Sequence, residues 1–237
     1  MGAGVINTVV GSGTLITFPV LLSTGLPPLA ANVANNVGLA PGSISGAVGY
    51  RKELSGTTSR VVRFSIAALL GGAAGALLLV VVPPGVFRIV APVLIALAIL
   101  LVLAEAWLGR RLAAWRQAAS PHGSPTMIAA VFSTSVYGGY FGAGQGVILL
   151  AVMGLLLAES LQQVNALKNV LQAVDNVASA LLFIAVTQVE WLAVALLAGG
   201  AVAGGQIGAR VGRRLPQSML RAAIVVIGIA GIAQLVA

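Results

Sequence analysis

Asn32-Val33-Ala34-Asn35-Asn36-Val37 and Asn165-Ala166-Leu167-Lys168-Asn169-Val170 share the frame Asn-x-x-x-Asn-Val and stand 133 positions apart. The same displacement carries Gly71-Gly72-x-x-Gly75 onto Gly204-Gly205-x-x-Gly208, and Pro83 and Arg88 onto Pro216 and Arg221. Upstream, Gly11-Ser12-Gly13 meets Gly142-Ala143-Gly144 at a displacement of 131, which a two-residue difference in one connecting loop absorbs. So many anchors in one register are more than chance gives in an apolar chain, and they mark an internal duplication.

The duplicated unit belongs in a bilayer. Of 237 residues, 59% are hydrophobic and 8% charged, whereas a soluble domain carries roughly 25% charged residues. Apolar blocks run over 1–22, 29–50, 62–82, 87–108, 124–157, 162–186, 191–207 and 216–236, and many approach the roughly 20 residues that cross a membrane. The passage 109–123, with Arg110, Arg111, Arg116, Pro121 and His122, reads as a linker. It divides a first membrane repeat, 1–108, from a second, 124–237.

Simple counts exclude several classes of function. The net charge of +8 does not point to nucleic acid, because the bases fall between apolar blocks, where they orient a membrane protein. No cysteine is present, His122 is the sole histidine and Asp175 the sole aspartate. Thiol chemistry, His-rich metal centres, Ser-His-Asp triads and paired-aspartate proteolysis are therefore excluded. Neither glycine-rich turn fits a Walker or Rossmann motif, so no cofactor is implied and the chain does not read as an enzyme. The opening Met1-Gly2-Ala3-Gly4-Val5 lacks a basic n-region, so the first segment is expected to be retained.

Loop charge gives the relation between the halves. Arg51, Lys52, Arg60 and Arg63 make the second connection basic, and the linker is basic too. Both are expected in the cytoplasm. The counterpart of that connection, Val186-Thr187-Gln188-Val189-Glu190, has no basic residue, whereas Arg210, Arg213 and Arg214 occupy the next loop. Charge has moved to the opposite loop, which predicts inverted repeats with an odd number of crossings each. With four blocks per half, one must fail to cross. The block 124–157 is too long for one span at 1.5 Å per residue, and Gly138, Gly139, Gly142, Gly144 and Gly146 interrupt it. The expectation is an all-α polytopic membrane protein of two inverted repeats. Each would have three crossing helices and a broken or re-entrant N-terminal hairpin, with 1–22 forming the first hairpin.

Two sets of residues could carry chemistry. Asn165, Lys168, Asn169, Gln172, Asp175, Asn176 and Ser179 follow at steps of three and four and share one helical face. Asn32, Asn35, Asn36, Ser43 and Ser45 are the matching stripe, in a helix that Pro41 should kink. Intramembrane ionisable groups face protein or water, so the stripes should line a central polar site. Asn32, Asn36, Asn165, Lys168, Asn169 and Gln172 are candidate substrate ligands, with Lys168 supplying positive charge. Asp175 is the candidate proton-coupling residue. The second set lies at the breaks, Gly11, Ser12, Gly13, Gly142, Gly144 and Gln145, where N–H groups at half-helix starts can hold an anion. A plainer reading stands beside this one: the amides and the Lys168/Asp175 pair fix helix register as a buried network, and the Gly71 and Gly204 groups simply pack helices.

Gly11-Ser12-Gly13-Thr14 followed by Phe18-Pro19, Leu26-Pro27-Pro28 and the Ala31-Asn32 helix, with Gly142-Ala143-Gly144-Gln145-Gly146 opening a second copy, resembles the sulfite exporter TauE/SafE family of membrane permeases. The likeness covers essentially the whole chain, although the family's usual first turn is richer in glycine. It implies a secondary transporter in the cell membrane that exports small sulfur-containing anions such as sulfite or organosulfonates. Its partners would be a small anionic substrate and the lipid bilayer, with no nucleic acid and no cofactor; a homodimer is left open. The competing readings are an importer, a carrier of another small solute, and a non-transporting scaffold.

Overall fold

The structure, a computed structural model, describes residues 1–54, 57–115, 125–157, 159–211 and 217–236. Among these every regular element is helical: α1 Gly2–Val9, α2 Thr14–Ser23, α3 Pro28–Gly49, α4 Thr58–Val81, α5 Pro84–Trp115, α6 Pro125–Tyr140, α7 Gln145–Leu156, α8 Leu161–Val186, α9 Trp191–Val211 and α10 Gln217–Val236, with a 3-10 turn at Arg51–Leu54. Local chemistry sets several starts. Pro28 and Pro84 occupy first-turn positions that need no N–H donor. Ser160 and Gln163 form a reciprocal capping box at the head of α8.

Thr58–Val81, Pro84–Ala104, Gln162–Val186 and Trp191–Arg210 are long and apolar enough to span a bilayer. The chain is thus built as a polytopic helical membrane protein. Helix α3 has 22 residues, about 33 Å at 1.5 Å each, which suffices for a core of about 30 Å; its polar stripe lowers its hydropathy. It runs unbroken through Pro41. Both first blocks break where the glycines stand: α1 and α2 have 8 and 10 residues, α6 and α7 have 16 and 12. Neither arm of the first pair can cross alone. Helix α5 continues to Trp115, past the expected linker start at 109, and residues 116–124 lie outside the described residues.

The packing exchanges between the halves. Helix α4 lies on α6 and α9 on α1; α3 lies on α9 and α4 on α8; α2 lies on α10 and α5 on α7; α3 and α8 meet each other. Glycines make the closest of these contacts. A Cβ on Gly71 or Gly75 would strike Phe132 O or Val136 O of α6, and one on Gly204 would strike Met1 O beside α1. Contacts advance in the same direction along both partners, Gly71 to Phe132 and Gly75 to Val136, Gly200 to Met1 and Gly208 to Thr8. Helices α4 and α6 therefore run parallel, as do α9 and α1. Gly38 meets Val194, Gly42 Ala201 and Gly49 Ala209, so α3 and α9 are parallel as well. Edge-to-face contacts among Phe18, Phe87 and Phe141 clamp α2, α5 and the end of the second hairpin's first arm, with centroids 5.3 to 6.3 Å apart.

One helix offers an internal comparison. A Cβ on Gly204 would lie 2.1 Å from Met1 O, whereas one on Gly199 meets nothing within 4 Å. Gly204→Ala is expected to destabilise the protein in detergent by about 1–3 kcal/mol, and Gly199→Ala to leave it unchanged or stabilise it by up to about 1 kcal/mol. Thermal unfolding of the two variants checks this; equal midpoints would mean that α9 does not rest on α1.

Candidate functional site

Two chain breaks meet at the centre of the molecule. Gly11 and Gly142 adopt φ of 80° and 77°, left-handed values that a Cβ disfavours. Gly146 N donates to Gly11 O at 3.1 Å, and a Cβ on Gly11 would lie 2.4 Å from Gly146 Cα. The hairpins touch backbone to backbone, with no room for a side chain in the seam. The turns differ at one position: Gly144 has φ 74°, whereas its counterpart Gly13 has φ −57° and donates its N–H to Asn7 Oδ1 at 3.3 Å. Helices α2 and α7 start at this centre, while α1 and α6 end there. Two positive and two negative helix ends are thereby gathered in one place.

The stripe of α8 binds these ends. Lys168, fully buried, donates from Nζ to Thr8 O at 3.1 Å, and Asn169 Nδ2 reaches the same carbonyl at 3.2 Å. Thr8 lies in the last turn of α1, so a cation stands where the helix dipole is negative. Gln172 Nε2 donates to Gly11 O at 3.4 Å. Asn176 Nδ2 donates to Ser43 Oγ at 2.7 Å; these residues are 133 apart, the repeat displacement, so equivalent positions of the two halves touch each other. From α3, Asn32 Nδ2 donates to Tyr140 O, the last residue of α6, at 2.9 Å.

Asp175 is also fully buried, and Gln145 Nε2 donates to its Oδ2 at 2.9 Å. Gly72 of α4 and Gly138 of α6 close on the carboxylate so tightly that a Cβ on either would overlap it. Around the centre, several buried side-chain atoms have no hydrogen-bond partner: Ser12 Oγ, Asn32 Oδ1, Asn36 Oδ1, Ser135 Oγ, Asn165 Oδ1, Gln172 Oε1 and Asp175 Oδ1. Such groups cost roughly 1–3 kcal/mol each when left unsatisfied, and their concentration marks a place that a ligand or water completes.

Most of the sequence-derived candidates come together at this centre. Gly11, Ser12, Gly13, Gly142, Gly144 and Gln145 form the two turns and the head of α7, and Lys168, Asn169, Gln172 and Asp175 face them from α8. Asn32 reaches the end of α6, while Asn36, one turn from Asn32 on α3, and Asn165, one turn from Asn169 on α8, carry unpartnered oxygens. Asn35 is committed elsewhere, accepting from Thr17 Oγ1 and donating to Thr14 Oγ1 at 3.1 Å, which ties α2 to α3. Sequence reasoning missed Asn7, which bonds Ser43 and Gly13, and the buried Ser135. A lone amide or hydroxyl within a short apolar arm was the available signal. Among the described residues no three His, Cys, Asp or Glu side chains gather to hold a metal ion.

A sequence profile described as Sulfite exporter TauE/SafE matches residues 1–235. The chain belongs to the sulfite exporter TauE/SafE family. It is 27% identical over 228 residues to the "Probable membrane transporter protein YfcA" of Escherichia coli K12, covering 96% of this chain and 83% of that one. A "Probable membrane transporter protein" of Haemophilus influenzae is 27% identical over 224 residues, with 94% and 86% covered. The "Probable membrane transporter protein ORF9" of a Sinorhizobium species is 26% identical over 235 residues, with 96% and 86% covered. No solved structure matches. The protein is a multi-pass transporter of the cell membrane and not an enzyme.

The bond from Lys168 to Thr8 makes a stability claim. Lys168→Met is expected to lower the stability of the substrate-free protein by about 1–3 kcal/mol, because a charged donor to a backbone carbonyl is lost. An unchanged or raised unfolding midpoint would show that the ammonium serves a ligand and not the architecture.

Proposed function

We propose that this TauE/SafE protein is a secondary transporter that exports a small sulfur-containing anion, sulfite or an organosulfonate, by alternating access of two inverted repeats. The observation that carries the reading is the meeting of the α2 and α7 N-termini beside the buried, unpartnered Ser12 Oγ. Helix starts direct N–H groups and positive dipole toward an anion. Gly11, Gly13 and Gly142 give their N–H groups to Ile6 O, Asn7 Oδ1 and Tyr137 O, so the helix starts act on an anion through their dipoles and through Ser12, and Lys168 contributes its charge from the α1 end. Asn169, which shares Thr8 O with Lys168, borders the same space.

Helix directions support inversion. Helices α8 and α9 are consecutive spans joined by a short turn, so they traverse the bilayer oppositely, and α3 runs parallel to α9. Helix α3 therefore opposes its repeat counterpart α8, as inverted repeats require. The basic connection with Arg51, Lys52, Arg60 and Arg63, and the linker at 109–123, then face the cytoplasm. The family's description, Sulfite exporter TauE/SafE, supports export as the direction. With no nucleotide motif in the chain, an ion gradient drives transport, and Asp175 is the group through which a proton acts.

A specific observation favours an organosulfonate over bare sulfite. Asn32 and Gln172 give their amide N–H groups to Tyr140 O and Gly11 O, which leaves Asn32 Oδ1 and Gln172 Oε1 as unmet acceptors. A sulfonate bearing a hydroxyl or ammonium group supplies the donors they lack.

Counterflow in proteoliposomes tests the proposal. The wild type is expected to carry hydroxyl- or amino-sulfonates and sulfite, and Ser12→Ala to weaken the apparent affinity by about 10-fold or more, the worth of a hydrogen bond to a charged group. Transport confined to unrelated solutes, or full affinity without the Ser12 hydroxyl, would overturn it.

A further inference from the structure

Helices α1 and α6 both end at the centre, and each C-terminus there carries a negative partial charge of about half an electron. The chain treats the two ends differently. At α1, Thr8 O receives the Lys168 ammonium and the Asn169 amide. At α6, Tyr140 O receives the neutral amide of Asn32. The repeat position equivalent to Lys168 is Asn35, which is engaged with Thr14 and Thr17 of α2. The first end has a resident cation, and duplication has supplied none to the second.

The α6 end has a carboxylate instead. Asp175 corresponds by repeat position to Gly42, so its charge belongs to the second half alone. It is fully buried between Gly72 of α4, Gly138 of α6 and Gln145 of α7. Gln145 serves Oδ2, and Oδ1 has no partner. One turn before Gly138 stands Ser135, also fully buried, with its Oγ unpartnered and its Cβ against Gly71. Two unmet oxygens thus flank the Gly71-Gly72 corner beside a negative helix end. Of the other groups near this corner, α4 brings Gly71 and Gly72, Tyr137 of α6 gives its hydroxyl to Ala143 O, and Lys168, two turns away on α8, donates to Thr8 O at the opposite helix end.

We propose that Asp175 and Ser135 form a site for a monovalent cation, Na+ or a proton delivered by hydronium, which is the exchangeable counterpart of the fixed Lys168 ammonium. The inference rests on the transporter reading only in naming that cation the coupling ion. The site would exist in the substrate-free protein. Binding there adds positive charge near the anion-facing starts of α2 and α7, so occupancy of one site changes the affinity of the other.

The test needs no substrate, so its failure is distinguishable from failure of the anion reading. Thermal unfolding of the purified protein is followed as NaCl replaces choline chloride at constant ionic strength and pH 8, and separately as pH is lowered in choline. The wild type is expected to be stabilised saturably in the Na+ arm, the proton arm or both, which identifies the ion. The isosteric Asp175→Asn should abolish the response. Ser135→Ala should shift the half-saturating concentration by about 10-fold or more, with size-exclusion profiles confirming that both variants fold. Absence of any Na+ or proton response would overturn the site. So would a response that Ser135→Ala retains in full, since Asp175 would then titrate alone.

Discussion

Breaking a helix at membrane depth frees backbone N–H and C=O groups that lipid cannot satisfy, and the centre of this protein is organised around that constraint. Each half breaks one helix, at Gly11 and at Gly142, and each break is answered from the other half. Lys168, Asn169 and Gln172 bind carbonyls of the first hairpin, while Asn32 binds the end of the second. Gly146 N closes the seam on Gly11 O. The polar stripes that look like substrate ligands in the sequence therefore serve the backbone first, and what they leave unmet defines what a ligand must bring. The architectural and functional readings of these residues concern different atoms of the same side chains.

The halves share a plan and have diverged in charge. Repeat positions pair Lys168 with Asn35, Asp175 with Gly42 and Gly144 with Gly13. Both ionisable residues of the central stripe lie in the second half, so the first half supplies mostly shape and amides. A symmetric pair of sites would bind two equal ligands. Divergence instead leaves one helix end with a permanent cation and the other beside a carboxylate, which suits a cycle with one anion and one exchanging cation. At the periphery, Arg60 pairs with Glu159 and joins α4 to the segment before α8. That pair is partly exposed and contributes about 0–1 kcal/mol, little beside the glycine contacts of α4 and α9.

Much of the fold is legible in the sequence because its signals are local or periodic. The breaks fall at the glycines, and the stripes are largely buried as helical spacing requires. Periodicity gives a face but not a partner. Asn35 and Asn36 are neighbours of one residue type, yet the first is tied to α2 while the second keeps an unpartnered oxygen. One partner of Lys168 is a backbone carbonyl 160 positions away, which no side-chain pattern encodes. Helix α5 passes Leu108 because an apolar run stops at Arg110 and Arg111 while a helix of Leu, Ala and Arg need not.

An oxyanion is expected where α2 and α7 begin. Selenite, which has the shape and charge of sulfite and scatters X-rays anomalously, can be bound to the crystallised protein and located by its selenium signal. The peak should lie within hydrogen-bond reach of Ser12 Oγ, between the Gly11 and Gly142 turns. A peak confined to the Arg51–Arg63 connection or the outer helix ends, with the centre empty, would contradict it.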